Sequence, residues 1–110
     1  MELDVQSFKR VDLVKLSGRI DSSNAPELDT ALKNLAREHR HQVVIDLSGI
    51  DYMSSAGLRA LVSGLRENRK HNGDLVIANP SERMREILSL AGLDSVFHLY
   101  DDPVAAVASY

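Results

Sequence analysis

Cysteine is absent from the 110 residues, and so is any apolar run long enough to cross a membrane. The first absence excludes disulfides, thiolate metal ligands and redox motifs, and it is compatible with a reducing cytosol. The second argues against a transmembrane helix, and the N-terminal residues lack the charged and apolar regions of a signal peptide. We therefore expect a cytoplasmic protein that does not associate with a membrane.

An excess of positive charge is also missing, since 13 lysines and arginines stand against 16 aspartates and glutamates, a net charge of −3. Domains that bind nucleic acids are normally basic, with their cations gathered on one face. Here the basic residues are scattered among acidic ones, so we expect no direct nucleic-acid binding. Hydrophobic residues make up 44% of the chain and charged residues 26%. This balance predicts one globular domain over residues 1–110, whose core needs neither metal nor disulfide.

Five segments have the hydrophobic pattern of β-strands. The first two, LDVQSF and VDLVKLSG, are separated by a polar break and predict an N-terminal β-hairpin. The other three are QVVIDLSG, DLVIAN and SVFHLY, and the first of these is continuously apolar, as is typical of a strand covered on both faces. Helical patterns alternate with these strands. We therefore predict an α/β fold with a mixed, mostly parallel sheet of about five strands and about four helices.

Polar residues and a glycine mark where the helices begin and end. Asn24 and Glu27 together resemble a capping box at the first helix. Ser54 is the predicted N-cap of the second helix, and Ser81 is that of the third. Gly92 stands where a glycine commonly ends a helix, after the third one.

No complete catalytic or cofactor motif is present. The Gly-x-Ser-x-Gly turn of serine hydrolases fails at Ser54 and at Ser55, because neither serine has a glycine two residues before it. Glycine-rich phosphate loops are absent, and the four histidines show no spacing of metal ligands: His39, His41, His71 and His98. We expect no enzymatic activity, no bound metal and no cofactor.

Two adjacent serines stand where the apolar strand turns into the second helix. As N-cap, Ser54 would accept a hydrogen bond from the N–H of Ala56 or Gly57, worth about 1 kcal/mol. Ser55 would then be the first helical residue, with a hydroxyl that the helix does not require. The serines can be simple polar residues of a tight turn or part of a contact surface. Gly57 favours the contact surface, because it costs roughly 1 kcal/mol relative to alanine and suggests a close approach to the backbone.

The strings VVIDLSGIDYMSSAGLRALV and LSGRIDSSNAPEL resemble the STAS domain of anti-sigma factor antagonists, and the resemblance covers essentially the whole chain. Two motifs carry it. One is the loop Gly18-Arg19-Ile20-Asp21, and the other is the segment Met53 to Leu58. The resemblance implies the STAS fold over residues 1–110.

The resemblance also implies site residues. The family's phosphorylated serine precedes the glycine by two residues and corresponds to Ser55. The family often has aspartate where this chain has Ser54, so Ser54 is the alternative acceptor. Asp21 corresponds to a loop aspartate that contributes to kinase recognition, although it could simply form a turn by bonding the backbone of Ser23 or Asn24. The implied partner-binding residues are Asp21, Ser54, Ser55, Ala56 and Gly57. To these we add Arg59, because it lies in the first turns of the same helix and would border the interface.

The family's function implies a cycle. The unphosphorylated domain binds an anti-sigma factor serine kinase and frees a sigma factor, phosphorylation of Ser55 ends the binding, and a PP2C-type phosphatase restores it. The domain itself would have no catalytic residues. Because the sequence lacks a long exposed apolar stripe, we expect a monomer. The alternative is a STAS accessory subunit of a lipid-transport ABC complex, which docks on the ATPase without phosphorylation.

Overall fold

The computed structural model describes all residues from 1 to 110 as five strands and four helices, which confirms the predicted number of elements. The strands are β1 (Glu2–Ser7), β2 (Asp12–Ile20), β3 (Gln42–Met53), β4 (Asp74–Ala78) and β5 (Leu99–Tyr100). The helices are α1 (Ala25–Arg37), α2 (Ser55–Lys70), α3 (Glu82–Leu90) and α4 (Pro103–Ala108).

One sheet contains all five strands in the order β1-β2-β3-β4-β5. β1 is antiparallel to β2, and every other neighbouring pair is parallel. The mixed, mostly parallel sheet with its N-terminal hairpin is therefore confirmed. Because the parallel strands share a direction, their carboxyl ends lie at one edge of the sheet and their amino ends at the other.

The central strand β3 is covered on both faces. Val43, Ile45 and Leu47 belong to the large core that includes α1, α2 and α3, whereas Val44 packs in a smaller cluster with Ala106 of α4. Alternate residues of a strand point to opposite faces, so three helices cover one face and α4 covers the other. No helix combines the length and apolar character needed to cross a bilayer.

Local signals at the helix ends were partly right. Ser81 caps α3 as expected, since its Oγ accepts from the N–H of Met84 at 3.2 Å. Gly92 follows α3 with φ of +73°, the left-handed conformation expected there. The capping box at α1 is wrong, because the Asn24 side chain accepts from the N–H of Asp21 instead of capping the helix. The last strand is also shorter than SVFHLY and is limited to Leu99–Tyr100.

Candidate functional site

The two motifs meet at the carboxyl edge of the sheet. Ile20 ends β2 and Met53 ends β3, and these two residues are partners in the parallel register. The backbone N–H of Ser54 donates to the carbonyl of Ile20 at 2.8 Å. Asp21 and Ser54 therefore follow directly from paired strand residues, which brings the loop and the serine segment to the same place.

Ser54 occupies the N-cap position of α2, but its side chain does not cap the helix. Its backbone is extended, with φ of −75° and ψ of 170°, and its carbonyl accepts from the N–H of Leu58 at 3.0 Å. The Oγ atom is buried and has no hydrogen-bond partner. The expected bond to Ala56 or Gly57 is therefore wrong. Because the oxygen is sealed in the protein, it is not available to another molecule in this conformation.

Ser55 differs from its neighbour in being exposed. It is the first residue of α2, and its side chain lies at one end of a groove of about 670 Å³ along that helix. Half-buried Leu58 and Val62 contribute to this groove while packing against the core. The opposite side is formed by Ala91 and Leu93, which follow α3. We call this feature the α2 groove.

Two arginines of the α2 groove form no ion pair within the chain. Arg59, one helical turn after Ser55, is exposed and forms no ion pair, and the same holds for Arg66. Residues four apart are neighbours on a helix surface, and helical side chains lean toward the N-terminus. Arg59 is thus placed to extend toward Ser55.

Gly57 is explained by the interior of the protein. It is buried, and a Cβ atom built on it would lie 2.5 Å from Cγ of Met53 and 2.8 Å from Cγ2 of Ile20. Real side chains do not approach so closely, so the glycine lets α2 contact the two strand ends. The close approach that the sequence suggested is therefore made by the core, and the inference from Gly57 to a contact surface is wrong. Ala56 is half-buried and packs against the same core.

Asp21 forms a turn with the backbone and side chain of Ser23. Its Oδ1 accepts from the N–H of Ser23 at 2.9 Å and from the Ser23 hydroxyl. These two bonds, the hydroxyl first, lower the pKa of Asp21, and Arg19 adds a smaller contribution from a distance of 3.8 Å. Its side chain remains 37% exposed. The turn and a contact with a partner are therefore compatible.

The guanidinium of Arg19, next to the Asp21 turn, is held in place by Tyr52. The Arg19 guanidinium lies 4.8 Å from the ring centroid of Tyr52, within the range of a cation–π contact. Tyr52 belongs to β3 and is paired with Arg19 across the sheet. Arg19 and Tyr52 were not among the predicted site residues, although Arg19 lies in the first motif and Tyr52 directly precedes the second.

The arrangement offers a hydroxyl, cations and a carboxylate, but no catalytic constellation. No histidine lines the α2 groove. Nowhere in the chain do three or more histidine, aspartate or glutamate side chains gather in a way that could hold a metal ion. The side chains presented at this edge are the Ser55 hydroxyl, the Arg59 guanidinium and the Asp21 carboxylate.

Comparisons with known proteins agree with this architecture. The STAS domain family matches residues 2–106. The anti-sigma-B factor antagonist of Staphylococcus epidermidis is 30% identical over 101 residues, which cover 90% of this chain and 94% of that protein. An anti-sigma factor antagonist from Mycobacterium paratuberculosis has a similar solved structure, with a TM-score of 0.87 and 29% identity over 98% of this chain and 92% of that one.

SpoIIAA of Bacillus, an anti-sigma factor antagonist, is similar in fold. Its unphosphorylated form gives a TM-score of 0.85 at 16% identity, over 96% of this chain and 93% of that one. The family match spans nearly all of the chain, and the sheet order, the hairpin and the four helices agree with it. The chain therefore belongs to the STAS domain family.

Proposed function

We propose that this domain is an anti-sigma factor antagonist whose unphosphorylated form binds an anti-sigma serine kinase and thereby frees a sigma factor. The observation that carries the proposal is the exposed hydroxyl of Ser55 at the first residue of α2, beside the Asp21 turn. The names of its relatives support the same role. Such a protein acts in the cytoplasm as a binding module and kinase substrate and needs no catalytic residue of its own.

The acceptor in this proposal is Ser55 rather than Ser54. A kinase must bring the γ-phosphate of ATP to the serine oxygen, which requires an accessible hydroxyl. Ser55 meets this condition, whereas the Oγ of Ser54 is buried. Ser54 instead holds the start of α2 to β2 through its backbone.

A phosphate at Ser55 suits the helix to which it is attached. It adds about −1.5 to −2 charges and three strong acceptor oxygens. Those oxygens face the free N–H groups and the positive end of the dipole of α2. Arg59 lies one turn away without an ion pair. The domain should therefore keep its fold when it is phosphorylated.

The change in affinity arises at the partner's surface. A partner shaped for a neutral hydroxyl meets a dianion that it must desolvate, which weakens the complex. A loss of about 3 kcal/mol already lowers affinity by more than a hundredfold. The kinase supplies its own ATP and magnesium, and a PP2C-type phosphatase removes the phosphate again.

Three of the inferred partner-binding residues can touch the kinase directly, namely Asp21, Ser55 and Arg59, because their side chains reach the surface. Ser54, Ala56 and Gly57 contribute by shaping the backbone that presents Ser55. The side-chain oxygen of Ser54 and the Cα of Gly57 are covered by the protein itself.

The test compares binding of the cognate kinase by wild type, Ser55→Ala, Ser55→Asp and a control, Ser89→Asp. Ser89 is an exposed serine near the end of α3 and outside the α2 groove. Baits of each form are incubated with lysate of the native cell, and captured proteins are identified by mass spectrometry. We expect every bait except Ser55→Asp to capture a serine kinase related to anti-sigma factors.

The second half of the test locates the phosphate. Wild-type protein incubated with the captured kinase and ATP should gain one phosphate on Ser55, and Ser55→Ala should gain none. Phosphate on Ser54 alone, or equal capture by wild type and Ser55→Asp, would contradict the proposal. Capture of a transport ATPase by all four baits would instead support the accessory subunit of a lipid-transport ABC complex.

A further inference from the structure

A second polar pocket lies at the amino edge of the sheet, the edge opposite Ser55. Three loops meet there: the turn between β1 and β2, the loop from α1 to β3, and the loop from α2 to β4. The pocket has a volume of about 320 Å³, and none of its nine lining residues is hydrophobic or acidic. Six of them are basic, namely Lys9, Arg10, His39, Arg40, His41 and His71. We call it the amino-edge pocket.

Arg40 fixes the wall of the amino-edge pocket. Its Nε donates to Oδ2 of buried Asp12 at 2.7 Å, which balances its charge. Its Nη1 donates to the carbonyl of Lys9 at 3.1 Å, and its Nη2 to that of Phe8 at 2.7 Å. The turn between β1 and β2 is therefore tied to the loop before β3. This bonding holds the backbone of Phe8 and Lys9, and with it the adjacent Arg10, at the pocket.

Two cations of the pocket remain unbalanced. Neither Lys9 nor Arg10 forms an ion pair with the chain. Glu67 does not line the pocket. Its carboxylate lies 3.3 Å from Nε2 of His71. In a protein of net charge −3, a concave surface with basic side chains and no acidic ones is an unusual local concentration of positive charge.

Three imidazoles complete the surface. The rings of His41 and His71 are stacked, with centroids 4.2 Å apart and an angle of 9° between their planes. His39 meets His41 edge to face at 6.4 Å. Parallel stacked rings do not direct their nitrogen lone pairs at one point between them, so this geometry does not suit a shared metal ion. Nε2 of His71 faces the Glu67 carboxylate at 3.3 Å, and Nδ1 of His41 is buried, so the N–H donors left for an anion are those of His39 and of Nε2 of His41.

We propose that the amino-edge pocket binds a small anion carrying a phosphate group. Lys9 and Arg10 supply charge to its oxygens, and the two free imidazole N–H groups donate to them. Arginine matches the geometry of phosphate oxygens especially well. The site is separated from Ser55 by the length of β3 (Gln42–Met53), so ligand binding there leaves the acceptor serine free. The proposal of an anion site in the amino-edge pocket does not depend on the proposed function.

The experiment is a titration of the ¹⁵N-labelled full chain with sodium phosphate, at constant ionic strength maintained with sodium chloride. We expect saturable shifts of the amide signals of His39, His41, His71 and Gly73, with the amides around Ser55 unchanged. Pyrophosphate should bind more tightly because it carries more charge. O-phosphoserine in a parallel titration distinguishes a phosphate monoester from the free ion as the preferred ligand.

Arg10→Gln and Arg83→Gln form a matched pair of variants. Both arginines are exposed and lack ion pairs, but Arg83 lies on α3, away from the pocket. We expect Arg10→Gln to weaken phosphate binding about fivefold or more, because a charged hydrogen bond is lost. Arg83→Gln should bind like wild type. Equal weakening by both variants, or shifts that never saturate in any titration, would overturn the proposal.

Discussion

Replacing Ser54 with alanine should stabilise the protein, although the same change at an N-cap normally destabilises a helix. The usual loss of about 1 kcal/mol comes from a bond between the side-chain oxygen and an N–H of the first turn. In this structure the Ser54 oxygen makes no such bond and is buried without any partner. The substitution therefore removes a cost and sacrifices no hydrogen bond.

The size of the effect follows from that unpaired hydroxyl. Burying a polar group without a partner costs about 1–3 kcal/mol. Part of this is offset because removing the oxygen leaves a small gap and loses its dispersion contacts. We expect the free energy of unfolding of Ser54→Ala to rise by about 1 kcal/mol, which corresponds to roughly 4 °C in Tm for a domain of this size.

Urea unfolding followed by circular dichroism measures this change, with the m value checked to be unaltered. Ser55→Ala is the matched control, because Ser55 is exposed and adjacent. Its free energy of unfolding should stay within about 0.5 kcal/mol of wild type. If Ser54→Ala instead loses about 1 kcal/mol, the hydroxyl caps α2 in solution and the reasoning from its burial fails.

Two further substitutions test the packing. Gly57→Ala should lower the free energy of unfolding by about 2 kcal/mol, since its Cβ would lie 2.5 Å from Met53. A Cβ at Gly64 would lie 2.9 and 3.0 Å from the terminal methyl groups of two leucines, which can move aside. Gly64→Ala should therefore lower the free energy of unfolding less than half as much in the same urea experiment. Equal losses would contradict this ranking. The Tyr110 hydroxyl donates to the carbonyl of Val43 at 2.8 Å, and burial raises the pKa of this phenol above its usual value of 10.0. The folded state thus holds the phenol proton more tightly than the unfolded state. The stabilisation that the Tyr110 hydroxyl provides is therefore complete below about pH 10 and is lost at higher pH. Tyr110→Phe should lower the free energy of unfolding by about 1 kcal/mol at pH 7 and should reduce the loss of stability above about pH 10. Urea unfolding across this pH range measures both effects. If the variant loses as much stability above about pH 10 as wild type does, Tyr110 is not the group responsible.

Features that depend on neighbouring residues in sequence could be predicted. The continuous apolar run in β3 indicated a strand covered on both faces, and the cap at Ser81 followed from its position before a helical pattern. The hairpin and the parallel sheet followed from the order of the elements. Each of these features is determined by local pattern and by topological rules that hold across many folds.

Features that depend on distant residues could not be predicted. The sequence placed Ser54 correctly at the start of α2 but gave no sign that its oxygen is sealed in the interior. The conformational cost of Gly57 was recognised, yet the reason for this glycine is close contact with Met53 and with Ile20, and Ile20 lies far away along the chain. The capping box at Asn24 failed for a local reason, because its Oδ1 accepts from the N–H of Asp21 and its Nδ2 donates to the carbonyl of Arg19.

The fixed start of α2 has a consequence for how such domains diverge. Gly57 lies against Met53 and Ile20, and the backbone of Ser54 is hydrogen-bonded to the end of β2. The helix α2 therefore cannot shift without disturbing the core. Outward-facing residues such as Arg59 and Arg66 are not part of this attachment. In the proposed switch, duplicated copies could therefore acquire different kinases by changing only those outward residues, while the modified hydroxyl stays in place. Several such pairs could then operate side by side in one cell without cross-talk.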